Sequence, residues 1–192
     1  MKKIDLYQCI QQKDYFIEQM LQDKIFVYPT DSLYGIWGLF THENIEKIAD
    51  IKQRHMGKKM NIIAPSFEWI FENFNVHNPD FLLECFNKYH ATTFILEPKD
   101  HSSSISLYET TNDNSTIWVR IIKHPFQELI TALGKPFIST SANFAGWENI
   151  RNIDELDREI LKKVNFVIDW NDVTGIPSVM IFDATKEIFK RD

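Results

Sequence analysis

The chain lacks most of the residue patterns that would point to a disulfide-rich, zinc-binding or triad-based protein. Its 192 residues include only two cysteines, too few for a disulfide framework or a cysteine-based zinc site, and this number fits a reducing compartment. The six histidines are scattered, and no pair has the spacing of metal ligands on a helix. There is no Ser-His-Asp pattern, and the Gly-Ile-Trp-Gly run at 35–38 lacks the Gly-Lys-Ser/Thr ending of a phosphate-binding loop.

Long apolar runs and an excess of positive charge are also missing. No stretch approaches the roughly 20 apolar residues that a membrane-spanning helix needs, and the polar N-terminal residues lack the apolar core of a signal peptide. We therefore expect a soluble, cytoplasmic protein without a membrane partner. The formal net charge of −6, from 21 Lys and Arg against 27 Asp and Glu, argues against a surface that coats polyanions broadly. A nucleotide or RNA would have to bind a local basic patch.

What is present predicts one α/β domain over residues 1–192. The chain is 44% hydrophobic and 25% charged, enough for one buried core and too short for two comfortable ones. Apolar spacing alternates between helical and strand-like periods. It predicts helices at 6–21, 45–51, 66–74, 79–88, 125–134 and 154–163, and strands at 24–28, 61–64, 92–96, 116–121, 136–139, 165–169, 178–183 and 187–190. The polar stretch at 100–115 is rich in Ser, Thr and Asn, and it predicts a surface loop.

Two polar segments stand out against this background. Lys52 and Arg54 follow a predicted helix, and the run Ser-Thr-Ser-Ala-Asn at 139–143 follows a predicted strand. Cations neutralise phosphate charge, while hydroxyl and amide groups supply short, directional hydrogen bonds. Taken alone, Lys-x-Arg is typical of solvated surface charge, and the second run also fits a polar turn with a helix cap. Together they predict a nucleotide site.

Four motifs in order resemble the YrdC family of threonylcarbamoyl-AMP synthases. They are Tyr-Pro-Thr-Asp-Ser-Leu-Tyr-Gly at 28–35, Lys-x-Arg at 52–54, Trp-Val-Arg-Ile-x-x-His-Pro at 118–125 and the 139–143 run. The similarity extends from about residue 23 to residue 190, nearly the whole chain. The resemblance implies one large, twisted mixed sheet surrounded by helices, with a concave, basic face. The length of the chain is similar to that of the short, single-domain bacterial type.

The resemblance also implies a reaction. The amine of L-threonine would take up bicarbonate or carbon dioxide, and the resulting N-carboxylate would attack the α-phosphate of ATP and release pyrophosphate. Magnesium would accompany ATP, and partner proteins would transfer the threonylcarbamoyl group to tRNA. Catalysis would rest on positioning and electrostatic stabilisation, which explains why no nucleophile is found.

The site residues implied by the resemblance form two sets. Those for ATP are Lys52, Arg54, Lys58, Ser141, Asn143 and Lys190, with Lys52 and Arg54 as the catalytic cations. Those for threonine are Thr30, Tyr34, Arg120, Ser139 and Ser178, with Arg120 binding the carboxylate. On the residues alone, Arg120 fits equally well an exposed charge at a strand edge.

The chain departs from the family at several positions, and other functions stay open. Trp37 stands where the family usually has glycine, and His55 where it has proline. Residues 88–93 replace a Pro-Gly-Pro turn, Val179 replaces a threonine, and Lys190 replaces an arginine. These departures also fit a member of the family that has lost its catalytic activity. A second alternative is a binding module for double-stranded RNA or tRNA. A third is carbamoyl transfer, as in hydrogenase-maturation proteins.

Overall fold

A large mixed sheet with helices on both faces forms the molecule. The computed structural model describes residues 2–53, 60–99, 116–170 and 172–190. In the first part of the chain its elements are β1 (Lys2–Asp5), α1 (Leu6–Gln11), α2 (Lys13–Leu21), β2 (Phe26–Pro29), β3 (Tyr34–Leu39), α3 (His42–Ile51), β4 (Asn61–Ile63), α4 (Phe67–Asn73), β5 (Phe74–Asn75) and α5 (Pro79–Lys88). The remainder are β6 (Thr92–Pro98), β7 (Ile117–Arg120), α6 (Gln127–Leu133), β8 (Phe137–Ser141), a 3-10 turn (Ile153–Glu155), α7 (Arg158–Lys163), β9 (Phe166–Asp169), β10 (Val179–Phe182) and β11 (Ile188–Phe189).

The strands run in the order β1-β9-β2-β3-β8-β4-β7-β6-β10-β11, and β5 pairs with β6. Pairing is parallel for β1 with β9, β9 with β2, β4 with β7 and β6 with β10, and antiparallel for the rest. The predicted fold class, a single α/β domain with a large mixed sheet, is therefore confirmed.

Alternation along the strands sends side chains to two hydrophobic layers. Ile62 and Ile138 belong to one layer, which packs against α3, α4, α5 and α7. Their chain neighbours Ile63 and Phe137 belong to the other, which packs against α1, α2 and α6. On that second face the apolar positions give way to polar ones along β8, β4 and β7. The second helical layer therefore leaves part of the sheet face available for a binding site.

Side-chain caps fix where several helices begin and end. Thr41 accepts a hydrogen bond from the backbone N–H of Asn44 at the start of α3, and Ser66 does the same for Trp69 in α4. Gly134, the last residue of the helix predicted at 125–134, ends α6 in the left-handed conformation at φ 67°. Helix α3 ends at Ile51, so Lys52 is its C-cap residue.

Some sequence predictions differ from the structure. The predicted helix at 6–21 is two helices that meet at Gln12, and the one at 154–163 is a 3-10 turn followed by α7. Strands β1 and β3 were not predicted: β1 is short and polar, and two glycines interrupt the apolar pattern of β3. Helix α6 begins at Gln127, two residues after Pro125. The predicted loop at 100–115 lies outside the described residues.

Candidate active site

A polar cavity of about 320 Å³ occupies the uncovered part of the sheet face. Three strands supply its floor through their register. Asn61 of β4 lies opposite both Ser139 of β8 and Trp118 of β7, so the three side chains form a row across neighbouring strands. Ser141 lies two residues beyond Ser139 on the same face of β8. All four residues line the cavity.

The five residues that the sequence assigned to threonine meet at this one cavity. They come from four separate parts of the chain, and the cavity is lined by all five, namely Thr30, Tyr34, Arg120, Ser139 and Ser178. Ser32, Asn61, Trp118 and Asn149 line it as well and were not predicted. Ser32 and Trp118 belong to the motifs at 28–35 and 118–125 but were given no role, and no local pattern marks Asn61 and Asn149, which reach the cavity only through strand pairing and the course of the loops.

Arg120 is buried, so the alternative of an exposed strand-edge charge is wrong. Its guanidinium forms an ion pair with Asp31, whose side chain is fully buried. It also donates from Nε to the carbonyl oxygen of Thr92 at 3.1 Å and from a terminal nitrogen to Ser32 Oγ at 3.3 Å. Because these contacts use three of five N–H donors, the guanidinium keeps donors for a ligand carboxylate.

The turn between β2 and β3 presents Asp31 and Ser32 to that guanidinium. Thr30 Oγ1 accepts hydrogen bonds from the backbone N–H groups of Ser32 and Leu33, at 3.1 and 3.0 Å, and donates to the carbonyl of Leu33 at 2.8 Å. Asp31 also accepts from the backbone N–H of Lys123 at 2.9 Å. The hydroxyl of Thr30 is thus engaged in closing the turn.

Lys52 joins the two segments that the sequence singled out as a nucleotide site. Its Nζ donates to the carbonyl of Asn143 at 2.6 Å, to Asn143 Oδ1 at 3.0 Å and to Ser141 Oγ at 3.3 Å, and it also contacts the carbonyl of Ser141. The side-chain amide of Asn143 donates to the carbonyls of Trp147 and Glu148, at 2.6 and 3.1 Å. A buried cation therefore holds the 139–143 run in place beside the cavity.

Ser178 and Tyr34 border the cavity through contacts of their own. Ser178 Oγ is 2.7 Å from Thr93 Oγ1, and both residues are buried. The Tyr34 hydroxyl donates to Asp169 Oδ1 at 3.2 Å and accepts from the backbone N–H of Trp170 at 3.2 Å. Burial raises the pKa of Tyr34, so the phenol stays protonated.

The remaining predicted residues lie elsewhere or are not described. Lys190 is exposed, directly after β11, and is not among the residues that line the cavity. Arg54 and Lys58 lie outside the described residues. Within the described ranges no helix is both long and apolar enough to cross a membrane. The same ranges contain no group of three His, Cys, Asp or Glu side chains that could hold a metal ion.

A partly buried histidine gives a pH prediction. The Nδ1 atom of His124 is hydrogen-bonded to the Tyr28 hydroxyl, and burial lowers the pKa of His124 to about 4, against the opposing effect of Asp31. The unfolded chain, with a histidine pKa near 6.5, binds more protons than the folded protein between these values. The stabilisation is therefore complete above about pH 6.5, and we expect it to be lost as pH falls towards 4, by up to about 1.4 kcal/mol per pH unit.

The measurement is the unfolding free energy in urea from pH 7.5 to 4.5 for the native protein and for His124→Gln. The unfolding free energy of His124→Gln should fall less steeply towards low pH than that of the native protein. His42→Gln serves as the control because His42 is half-exposed and bridges Glu46 on the surface. Equal pH slopes in the native protein and His124→Gln would show that His124 does not titrate on unfolding.

The architecture defines a class of proteins that solved structures already represent. E. coli YciO superposes with a TM-score of 0.74 and 24% identity over 90% of this chain and 84% of that one. P. abyssi Sua5 in complex with L-threonine superposes with a TM-score of 0.73 and 18% identity, over 90% of this chain and 51% of that chain. The chain thus has the Sua5 and YciO fold and spans about half the length of the archaeal Sua5 protein.

Sequence comparison gives the family. The family named for Sua5, YciO and YrdC, described as telomere recombination, matches residues 18–191, and the chain belongs to it. A putative threonylcarbamoyl-AMP synthase of Methanocaldococcus jannaschii is 30% identical over 81% of this chain and 72% of its own length. The threonylcarbamoyl-AMP synthase of Blochmanniella pennsylvanica is 27% identical over 91% of this chain and 89% of its own. The resemblance read from the motifs is therefore confirmed.

Proposed function

We propose that this protein is a nucleotidyltransferase that forms threonylcarbamoyl-AMP and pyrophosphate from L-threonine, bicarbonate and ATP. One observation carries the proposal: five residues assigned to threonine line one cavity, and it adjoins the cluster in which Lys52 holds Ser141 and Asn143. The curated relatives named above support the catalytic function rather than RNA binding alone. Acidic net charge supports the same choice.

The chain's own residues would then position two substrates beside each other. Arg120, oriented by Asp31, would hold the threonine carboxylate through its remaining N–H donors. Ser139 and Ser178 would donate to the amino acid, and Ser141 and Asn143, which are hydrogen-bonded to each other, would line the part of the site that takes the phosphates. The positive charge of Lys52 lies next to them and would stabilise charge that develops on the α-phosphate. Arg54, Lys58 and Lys190 would supply further cations.

The chemical step needs no covalent enzyme intermediate. The N-carboxylate oxygen of threonine bonds to the α-phosphorus, the bond to the bridging oxygen breaks, and pyrophosphate leaves with that electron pair. A magnesium ion would be held chiefly by the phosphates of ATP and would neutralise the leaving group. The product would pass to proteins that transfer the threonylcarbamoyl group to tRNA. We infer that the protein acts in the cytoplasm, where ATP and tRNA are available.

The proposal predicts that pyrophosphate release from ATP requires both threonine and bicarbonate. Pyrophosphate is followed by a coupled assay, and the adenylate is identified by mass spectrometry. Omitting threonine, or working in degassed buffer without bicarbonate, should each reduce the signal to background. L-valine, which has the shape of threonine without its hydroxyl, is the matched control and should support little turnover because the polar cavity groups lose a partner.

Two outcomes would contradict the proposal. Pyrophosphate release that is independent of threonine would remove the substrate assignment. If ATP and threonine bind but no adenylate forms, the protein is a catalytically inactive member of the family. If the same preparation also binds duplex RNA tightly and in a salt-dependent way, the binding module is favoured instead.

A further inference from the structure

Trp37 is a feature of this chain that the proposed reaction does not explain. It lies on β3 directly opposite Ser139 of β8, and its side chain is fully buried. Its indole ring packs edge-on against Tyr28 and Phe126, with ring centroids 5.5 and 6.0 Å away. Phe26 and Phe137 lie 6.3 Å away on other sides. Contacts from four rings hold the orientation of the indole.

The indole N–H points at the edge of the cavity. A Cβ atom built on Gly35 would lie 2.4 Å from Trp37 Nε1 and 3.0 Å from Ser139 Oγ, so both atoms flank the same small volume above Gly35. Gly35 and Ser139 line the cavity. Glycine is required at position 35 because any larger side chain would collide with the indole nitrogen, whose ring cannot turn away.

This N–H donor is buried without an acceptor. Nε1 of Trp37 makes no hydrogen bond to any of the described residues. Buried indole N–H groups usually have a partner, and an unsatisfied one is costly, so its persistence here requires a reason. Ser139 Oγ is a cavity-lining oxygen beside the same small volume, and it can accept, since a hydroxyl carries two lone pairs as well as one proton.

We propose that Trp37 is a positioning residue for Ser139 in the threonine site, an inference that rests on the proposed function. When the cavity is filled, Ser139 Oγ turns to accept the indole N–H. Its own hydrogen is then directed to an oxygen atom of the bound amino acid. A hydroxyl that accepts one hydrogen bond is a better donor of the next, so the rigid indole both orients and strengthens the contact.

The indole N–H resonance of Trp37 tests this directly. The chain has five tryptophans, so a nitrogen-15 correlation spectrum contains at most five indole signals, and Trp37→Phe assigns the relevant one. On titration with L-threonine, in the presence of ATP, we expect the Trp37 proton signal to move downfield. In Ser139→Ala that movement should be absent. The Trp69 indole, which packs against the opposite hydrophobic layer, should not move in either protein.

Threonine affinity gives a second, independent readout. Loss of one neutral hydrogen bond predicts that Trp37→Phe binds threonine about fivefold more weakly, with ATP affinity unchanged. Combining it with Ser139→Ala should add no further loss, because Trp37 acts only through that hydroxyl. Trp69→Phe is the matched control. Should Trp37→Phe fail to fold, replacing the other four tryptophans one at a time by phenylalanine assigns the Trp37 signal by elimination, and the titration of the native protein and of Ser139→Ala still decides the question.

The outcomes separate this inference from the proposed function. Threonine binding by calorimetry with a stationary Trp37 signal would overturn the role of Trp37 and leave the function intact. Additive losses in the double variant would overturn it as well. If calorimetry detects no threonine binding at all, the proposed function fails and the inference fails with it.

Discussion

Replacing Lys52 by methionine is expected to lower the turnover rate by about 10²- to 10³-fold, the range found when a preorganised electrostatic contact is removed. The ammonium group is buried and contacts Ser141 and Asn143 through carbonyl and side-chain oxygens. Its charge is therefore fixed before substrate arrives. If that charge acts on the α-phosphate in the transition state, turnover should fall more than ATP affinity. Rates from the pyrophosphate assay and ATP affinity from calorimetry give the two numbers.

The same change should also cost stability. Methionine leaves the buried oxygens without their donor, and each such group costs about 1–3 kcal/mol. Lys47→Met is the matched control, since Lys47 lies on the surface of the same helix in a half-exposed pair with Glu43 and should contribute about 0.5 kcal/mol or less. If Lys52→Met loses stability while its folded fraction turns over at the native rate, Lys52 only shapes the 139–143 run.

Replacing Arg120 by methionine should have the largest effect on folding, together with a loss of threonine affinity. The change leaves the fully buried Asp31 carboxylate without its ionic partner, at a cost of about 3–5 kcal/mol in the free energy of unfolding. The lost carboxylate contact should weaken threonine binding about 10- to 150-fold while ATP affinity changes little. Urea unfolding and calorimetry with each substrate measure the three quantities.

A second substitution separates these two effects. In the double variant Asp31→Asn with Arg120→Met the stranded charge is gone, so stability should recover part of the loss. Threonine affinity should remain low, because the guanidinium is still missing. Lys162→Ala, which removes an exposed pair with Glu159, is the surface control and should leave the free energy of unfolding nearly unchanged. Native-like threonine binding in the double variant would show that Arg120 is purely structural.

The sequence by itself determined the fold class and the identity of most candidate site residues. Strand and helix periods of apolar residues are local properties, and they located β4, β6, β7, β9 and β10 to within a few residues. Gly134 and Ser66 cap helix ends through contacts with nearby backbone groups, so these two helix ends could be predicted from the local sequence. The four ordered motifs indicated the family. Strand β3 was missed because its two glycines and a tryptophan give no regular alternation.

Only the tertiary structure decided how these residues work together. Asn61, Ser139 and Trp118 share a row because three distant strands pair in one register, and no local pattern encodes a register. The burial of Arg120 depends on a carboxylate almost ninety residues earlier in the chain, which converts an apparent surface charge into an anchored one. Trp37 looked like a departure from the family. Its buried N–H beside Ser139 became visible only because long-range packing fixes where an indole ring points.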